Sequence, residues 1–449
     1  MTTGTVYEPP RQTPVFGAFD VVVLGGGPAG IAATASAAKM GSRTLLIEHY
    51  GFLGGMGTAA GVTNFCGLHA NVYGEIRQVV HGIADELLDR MRSLGGLNEP
   101  HVIFGGRIAA QAYDNAAFKV AADELVSESG AQLLFHAHAC GVLMRSPSEI
   151  EAILIETKSG RRAVVGQLYI DCSGDGDLAA QAGAVFEKGT DGNGMLYPST
   201  MFRVNGVDPG RAGDAWNHFG RWMEDAERRG RKFPRKTPII RPQKNPTEWR
   251  ANVTQLANPD GSPADCTDAL QLSAAELEGR RQIVDFFQFL RESAPGFENS
   301  YILEIAPQVG VRETRRILGG YQLTEEDVLT CASFDDTIGV NGWMIEAHVA
   351  GDVLFKWQDI PRCRGFNQLP YRMIVAQGID NLLVAGRCAS MTHMGQSAAR
   401  VSGGCFVMGQ AAGTAAALSL AASVRPRGLD IASLQTQLAR DGAYLGRTQ

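Results

Sequence analysis

Asp20-Val21-Val22-Val23-Leu24-Gly25-Gly26-Gly27-Pro28-Ala29-Gly30 is the stretch that decides the fold. Val21 to Leu24 is a short apolar run of the kind that fills a strand buried on both faces. It enters a turn in which Gly25, Gly27 and Gly30 fill the pattern GxGxxG. Ile31 to Met40 is helix-prone and stops at Gly41, and a second strand, Thr44 to Ile47, ends on Glu48. Each part has a physical role: Gly25 permits the tight turn, and Gly27 lets backbone approach a pyrophosphate. Gly30 allows close helix–strand packing, and the free N–H groups at the helix start, with Pro28 and Ala29, face the anion. Glu48, with His49 beside it, is suited to accept the ribose hydroxyls of an adenosine and to repel a 2′-phosphate. A lone GxGxxG is weak, but strand, glycines, helix, second strand and terminal acid all fall in register here. On this unit alone the dinucleotide is either NAD or FAD.

Outward from that unit, 449 residues predict two or three domains. The 54 glycines exceed the usual ~7% without any Gly-X-Y period, which points to tight turns and close backbone approach to a ligand. A net charge of −6 argues against a nucleic-acid or anionic-membrane partner. Met1 to Phe19 is polar and Pro-rich without an apolar core, so no secretory signal is expected, and no apolar run of spanning length is read. The eight cysteines form no CxxC pair, which fits reduced thiols in a cytoplasmic enzyme and removes the paired thiols of a disulfide reductase.

Along the chain, helices are expected at Tyr73 to Leu94 and Asp114 to Ser129. Strands are expected at Leu133 to Met144, Ile150 to Thr157, Ala163 to Asp171 and Asn381 to Ala385. Residues from Phe186 to Gly365 change character and hold all five tryptophans, as an inserted substrate domain would. There Ser273 and Glu276 read as a capping box for a helix ending near Pro295. The expected division is residues 17–185 and 366–449 for the dinucleotide domain and 186–365 for the cap. The C-terminal part closes on an Ala-rich helix, Gly409 to Ala422.

Three further segments favour FAD. Gly51-Phe52-Leu53-Gly54-Gly55-Met56-Gly57-Thr58-Ala59 follows Glu48; Leu168-Tyr169-Ile170-Asp171-Cys172-Ser173-Gly174-Asp175-Gly176 ends a strand; and Asp380-Asn381-Leu382-Leu383-Val384-Ala385-Gly386-Arg387 leads to Ser402-Gly403-Gly404. With these segments the chain resembles the FAD-dependent oxidoreductase family distantly related to fumarate reductase flavoproteins and glucose-inhibited-division-type proteins. The resemblance implies an α/β, Rossmann-like FAD-binding domain of the glutathione-reductase type with an inserted α+β substrate domain. It implies that Gly54, Gly55, Met56 and Thr58 wrap the pyrophosphate and ribityl chain, and that Asp171, Gly174 and Asp175 position the dinucleotide. Gly386, Arg387, Gly403 and Gly404 would lie at the flavin edge, where a helix N-terminus stabilises negative charge. Met56 stands where some relatives carry a covalently attached histidine, so non-covalent FAD is expected. Gly310 to Arg316 and Tyr321 to Thr324 are similar to the family's substrate-domain signature.

Flavin does the redox chemistry, so the protein must orient substrate, exchange a proton and stabilise charge. The candidates are His393, in the loop after the last strand, and His348, as acid/base; and Arg400 and Arg312 as anion holders. Helical spacing would set Arg312 with Arg315 or Arg316. His136, His138 and Cys140 would share a strand face, but no carboxylate joins them and no metal is expected. The leading expectation is a dehydrogenase or oxidase acting on a small polar molecule, passing a hydride to flavin N5 and electrons on to an external acceptor or oxygen. An NAD(P)H-dependent monooxygenase and a fumarate-reductase-like reductase of an unsaturated acid are the rivals. The absence of a second GxGxxG after a strand disfavours a dedicated NAD(P)H domain. A flavoprotein without turnover is the non-enzymatic alternative, and a homo-oligomer is compatible with the sequence.

Overall fold

The computed structural model describes residues 4–190 and 194–447. Its central sheet has seven strands. Gln132–Leu134, Thr44–Ile47, Val15–Leu24 and Gly160–Asp171 lie side by side in parallel, and Leu382–Val384 adds to the end of Gly160–Asp171. The Gly160–Asp171 strand has twelve residues and, on the edge away from Val15–Leu24, serves two partners. Its first half pairs antiparallel with Glu149–Thr157, which continues to His138–Ser146, while its second half completes the parallel sheet.

Register fixes where a ligand can sit. Leu24 stands opposite both Ile47 and Asp171, and Asp171 stands opposite Val384. Four strand ends are therefore level, and the loops that follow them, starting at Gly25, Glu48, Cys172 and Ala385, open side by side at the carboxyl edge of the sheet, the position where open α/β sheets bind ligands.

Helix Pro28–Lys39 covers one face, packed against helix Ser402–Ala421. A Cβ on Gly409 would stand 2.1 Å from the carbonyl oxygen of Ala29, and one on Gly413 2.1 Å from that of Ala33, so glycine alone allows this approach. Ser402–Ala421 is long and apolar enough to cross a membrane by length and composition, but 78% of its most apolar window is buried against the protein's own core. It is used as a core helix.

A second core runs from Phe202 to Phe297. It lies under a four-stranded antiparallel sheet, in the order Ile239–Pro242, Trp249–Asn252, Phe202–Asn205, Tyr301–Ile305, with helices Phe219–Arg228 and Ala269–Ser293. Trp249 anchors it, edge-on to Phe219 and Phe297. Ile317, Leu323, Val328, Ile338, Val340 and Ile345 pack in the first core instead, although they lie within residues 186–365.

Several local expectations are corrected. Residues 69–78 form a hairpin, His69–Val72 with Glu75–Gln78, turning at Tyr73 (φ 52°) and Gly74 (φ 100°); the helix begins only at Ile83. His136, at φ 53°, breaks the strand expected at Leu133 to Met144, so it does not share a face with His138 and Cys140. Helix Ala269–Ser293 is capped by Asp268, which accepts from the N–H groups of Leu270 and Gln271. Ser273 lies inside that helix, and Glu276 accepts from the Val309 N–H. Arg312 to Arg316 is not helical, since Arg316-Ile317 is a short strand paired with Phe186-Glu187.

Candidate active site

One cavity of about 520 Å³ begins at the carboxyl edge of the parallel sheet and ends against the inserted sheet. Its first half is built by the turn Gly25–Ala29. Gly27 is extended (φ −74°, ψ −176°), and no side chain caps the helix that starts after it. A Cβ added to Gly27 would meet only the Cα of Gly55, at 3.6 Å, so two glycine backbones form the wall of this narrow strip. Gly30 lies behind it: its Cβ would be 1.8 Å from the Gly25 carbonyl oxygen, the close helix–turn contact that glycine was expected to provide.

Glu48 is buried at the end of its strand yet reaches the cavity. One oxygen accepts from the Gly26 N–H at 2.7 Å and the other from the Tyr50 N–H at 2.8 Å, which holds the GxGxxG turn and the carboxylate in register. His49 lies 2.9 Å away. Burial opposes the ionised form of Glu48, but the His49 imidazole and the two backbone donors hold its carboxyl below the usual range. A carboxylate has four lone-pair directions, so ribose hydroxyls can still be accepted.

Of the residues expected to hold the dinucleotide, Gly25, Gly27, Pro28, Ala29, Glu48, His49, Gly55, Met56, Gly174, Asp175, Gly386 and Arg387 line the cavity. Gly30, Gly54, Thr58, Asp171, Gly403 and Gly404 do not. Thr58 donates to the Leu53 carbonyl at 2.7 Å and closes the 54–58 loop. Asp171 is fully buried; it accepts from Ser173 N–H and Oγ and from the Ala179 N–H, tying down the 172–179 segment. Burial pushes its carboxyl up to about 6. Gly403 and Gly404 press on the Gly67 and Ala399 carbonyls, while Val401 and Ser402 at the same helix start face the cavity. Arg387 bridges the loops, donating to the Gly174 carbonyl and at 2.8 Å to Asp175.

The second half brings together residues from distant elements: Cys66, Arg250, Asn252, Arg312, Trp343, Glu346, His348 and Arg400. His348 lies on strand Ile345–Val349, 3% exposed, with Nε2 at 3.3 Å from Glu346 Oε1. Burial, then the charges of Arg312 and Arg235, keep this imidazole well below its usual pKa, so it is neutral at pH 7. Glu346 also accepts from Trp343 Nε1 at 2.9 Å. Burial opposes its charge, but His348, Arg400 and Trp343 together hold it ionised. Arg312 donates to the Tyr197 carbonyl and to Ser199 Oγ, both at 2.7 Å.

His393 is elsewhere. It is the first residue of helix His393–Ala399, whose cap Thr392 accepts from the Gly395 N–H at 3.2 Å. Its Nδ1 stands 2.7 Å from Glu313, out of line for a hydrogen bond, and it does not line the cavity. Glu313 also pairs with Arg316 and accepts from the Leu196 N–H. His393 thus stands beside Glu313 and outside this cavity.

Sequence reasoning missed Arg250, Asn252 and Glu346. The one local signal was a charged residue inside Trp249–Asn252, a strand buried throughout. Asn64 Oδ1 and Arg250 Nε are buried at the cavity without hydrogen-bond partners. Uncapped helix starts, a glycine-walled strip, a carboxylate at the second strand end and orphaned polar atoms fit a bound dinucleotide that extends toward a substrate.

A p-nitrophenol 4-monooxygenase from Pseudomonas putida shares the fold, with a TM-score of 0.50 at 12% identity over 96% of this chain and 90% of that one. A geranylgeranyl bacteriochlorophyll reductase-like protein from Thermoplasma acidophilum superposes with a TM-score of 0.49 at 13% identity, over 95% of this chain and 84% of that one. No curated protein matches the sequence. The profile of the family described as FAD dependent oxidoreductase matches residues 20–438. The chain belongs to the FAD dependent oxidoreductase family, and its cofactor is FAD.

Proposed function

We propose that the protein is a dehydrogenase or oxidase that takes a hydride from a small polar organic substrate, with His348 as the base. The observation that carries this reading is the His348–Glu346 pair, buried in the same cavity that starts at the dinucleotide strip. Bound FAD, held non-covalently, supplies a two-electron acceptor at N5, reoxidised by oxygen or another acceptor. With its Nε2 hydrogen directed at Glu346, the imidazole keeps Nδ1 as the lone-pair nitrogen that accepts the substrate's proton. Glu346 stabilises the imidazolium formed, and Arg312 and Arg400 orient the substrate. Substrate binds between the first core and the inserted unit, whose compact part runs from about Ser199 to Val309. The cysteines are all free, which fits a reducing compartment such as the cytoplasm.

The test is anaerobic reduction of the flavin by a donor found by screening small hydroxy and amino compounds. His348→Gln is expected to slow reduction by about 100-fold, the usual worth of an acid/base group. His393→Gln is expected to leave the rate within about 3-fold. Equal rates for His348→Gln and the native enzyme would refute the assignment.

A further inference from the structure

Buried guanidinium groups are held by carboxylates in most proteins, because an unpaired buried charge costs several kcal/mol. This cavity breaks that pattern. Arg250, Arg312 and Arg400 line it, and among the described residues none of them forms an ion pair with a carboxylate. Each is anchored through neutral acceptors instead: Arg250 on the Val62 carbonyl at 2.8 Å, and Arg400 on the Glu346 carbonyl at 3.3 Å. The Nε atoms of Arg250 and Arg400 are buried with no partner at all, and Arg250 is only 5% exposed. Among the described residues Glu346 is the single carboxylate facing this half of the cavity, against three cations.

The two arginines come from different units. Arg250 belongs to the inserted sheet and Arg400 ends helix His393–Ala399 of the FAD-binding part. Both line the same cavity, so one bound anion can be held from both units. The glycine strip suited to the dinucleotide's phosphates is built from other elements, the Gly25–Ala29 turn and Gly55. The rest of the wall is apolar and partly aromatic: Phe65, Tyr113, Ile239, Met201 and Trp343. Such a wall accepts an apolar body, while the guanidinium groups accept a planar carboxylate through paired N–H donors.

Resting on the dehydrogenase reading above, we propose that the substrate is an organic carboxylate whose anionic end seats between Arg250 and Arg400, and that Arg250 selects it. The probes are benzoate, a planar monoanion with an apolar body, and benzamide, its neutral isostere. Each is titrated calorimetrically into the FAD-loaded protein. Benzoate is expected to bind saturably, and benzamide at least about 30-fold more weakly, as expected when one member of a buried charge pair is missing. Arg250→Gln is expected to weaken benzoate by a similar factor with FAD content unchanged, and Arg250→Lys to recover part of the loss.

Equal affinity for the two probes, no saturable benzoate binding, or full affinity in FAD-loaded Arg250→Gln would each overturn the proposal. If Arg250→Gln fails to fold, the benzoate-to-benzamide ratio on the native protein and the benzoate affinity of Arg400→Gln decide it. Selective benzoate binding in a protein whose flavin no carboxylate bleaches would uphold the anion site and overturn the dehydrogenase reading instead.

Discussion

Two glycines in one motif are expected to fail in different ways when replaced by alanine. At Gly27 the backbone is extended (φ −74°), which alanine adopts freely, and an added Cβ would meet nothing nearer than the Gly55 Cα at 3.6 Å. The protein's own packing is therefore undisturbed, and the change in apoprotein stability should stay within about 1 kcal/mol, since the position is only the start of a helix. The methyl instead enters the strip where a pyrophosphate has to approach. Losing one charge-assisted hydrogen bond there costs about 1.5–3 kcal/mol, or about 10- to 150-fold in FAD affinity. At Gly30 the added Cβ would lie 1.8 Å from the Gly25 carbonyl oxygen, so helix and turn must part. That overpacking should cost about 1–3 kcal/mol of folding stability whether or not FAD is present. The assay is urea unfolding of the apoproteins beside fluorescence titration with FAD. Native FAD affinity in Gly27→Ala, or native apoprotein stability in Gly30→Ala, would refute the placement of the pyrophosphate and the packing argument respectively.

Two other outcomes follow from the packing and the charges. His348 is held below its usual pKa by burial and by Arg312 and Arg235, so the unfolded chain binds a proton that the folded protein refuses. Stability from this group is present above pH 6.5 and is lost as pH falls below it, by about 1 kcal/mol between pH 6.5 and 5.5. His348→Gln should remove that increment, read as a shallower acid dependence of the urea midpoint; an unchanged slope would contradict it. At the long helix of the inserted unit, Asp268→Ala should cost about 1 kcal/mol through loss of the cap, and Ser273→Ala less than about 0.5 kcal/mol. Circular dichroism during thermal unfolding checks the order of the two, and a larger loss at Ser273 would restore the cap expected from the sequence.

The dinucleotide half of the site was legible because its logic is local. Strand, glycine turn, helix and Glu48 follow one another within thirty residues, and the hydrogen bonds from Gly26 and Tyr50 to Glu48 are made inside that stretch. Segments ending at Asp171 and Val384 were legible too, because short apolar runs before glycine loops become level strand ends. The second half was not, because it is assembled across the chain. Arg250 gains its meaning from a strand pairing in the inserted sheet and from the Val62 carbonyl, both set by tertiary structure. His393 looked functional from its place after the last strand, yet Thr392 starts a helix that turns it toward Glu313. The helix expected from Tyr73 failed because Tyr73 and Gly74 take positive φ angles, which apolar periodicity does not register.

The most direct test of the account is the absorption spectrum of the purified protein, taken without oxygen before and after addition of NADH or NADPH. A flavin band that is present and survives both nucleotides is the predicted result, since in the proposed reading the organic substrate is itself the electron donor. A protein that shows no flavin band even after incubation with FAD, or a band that bleaches at once with either nucleotide, would contradict it.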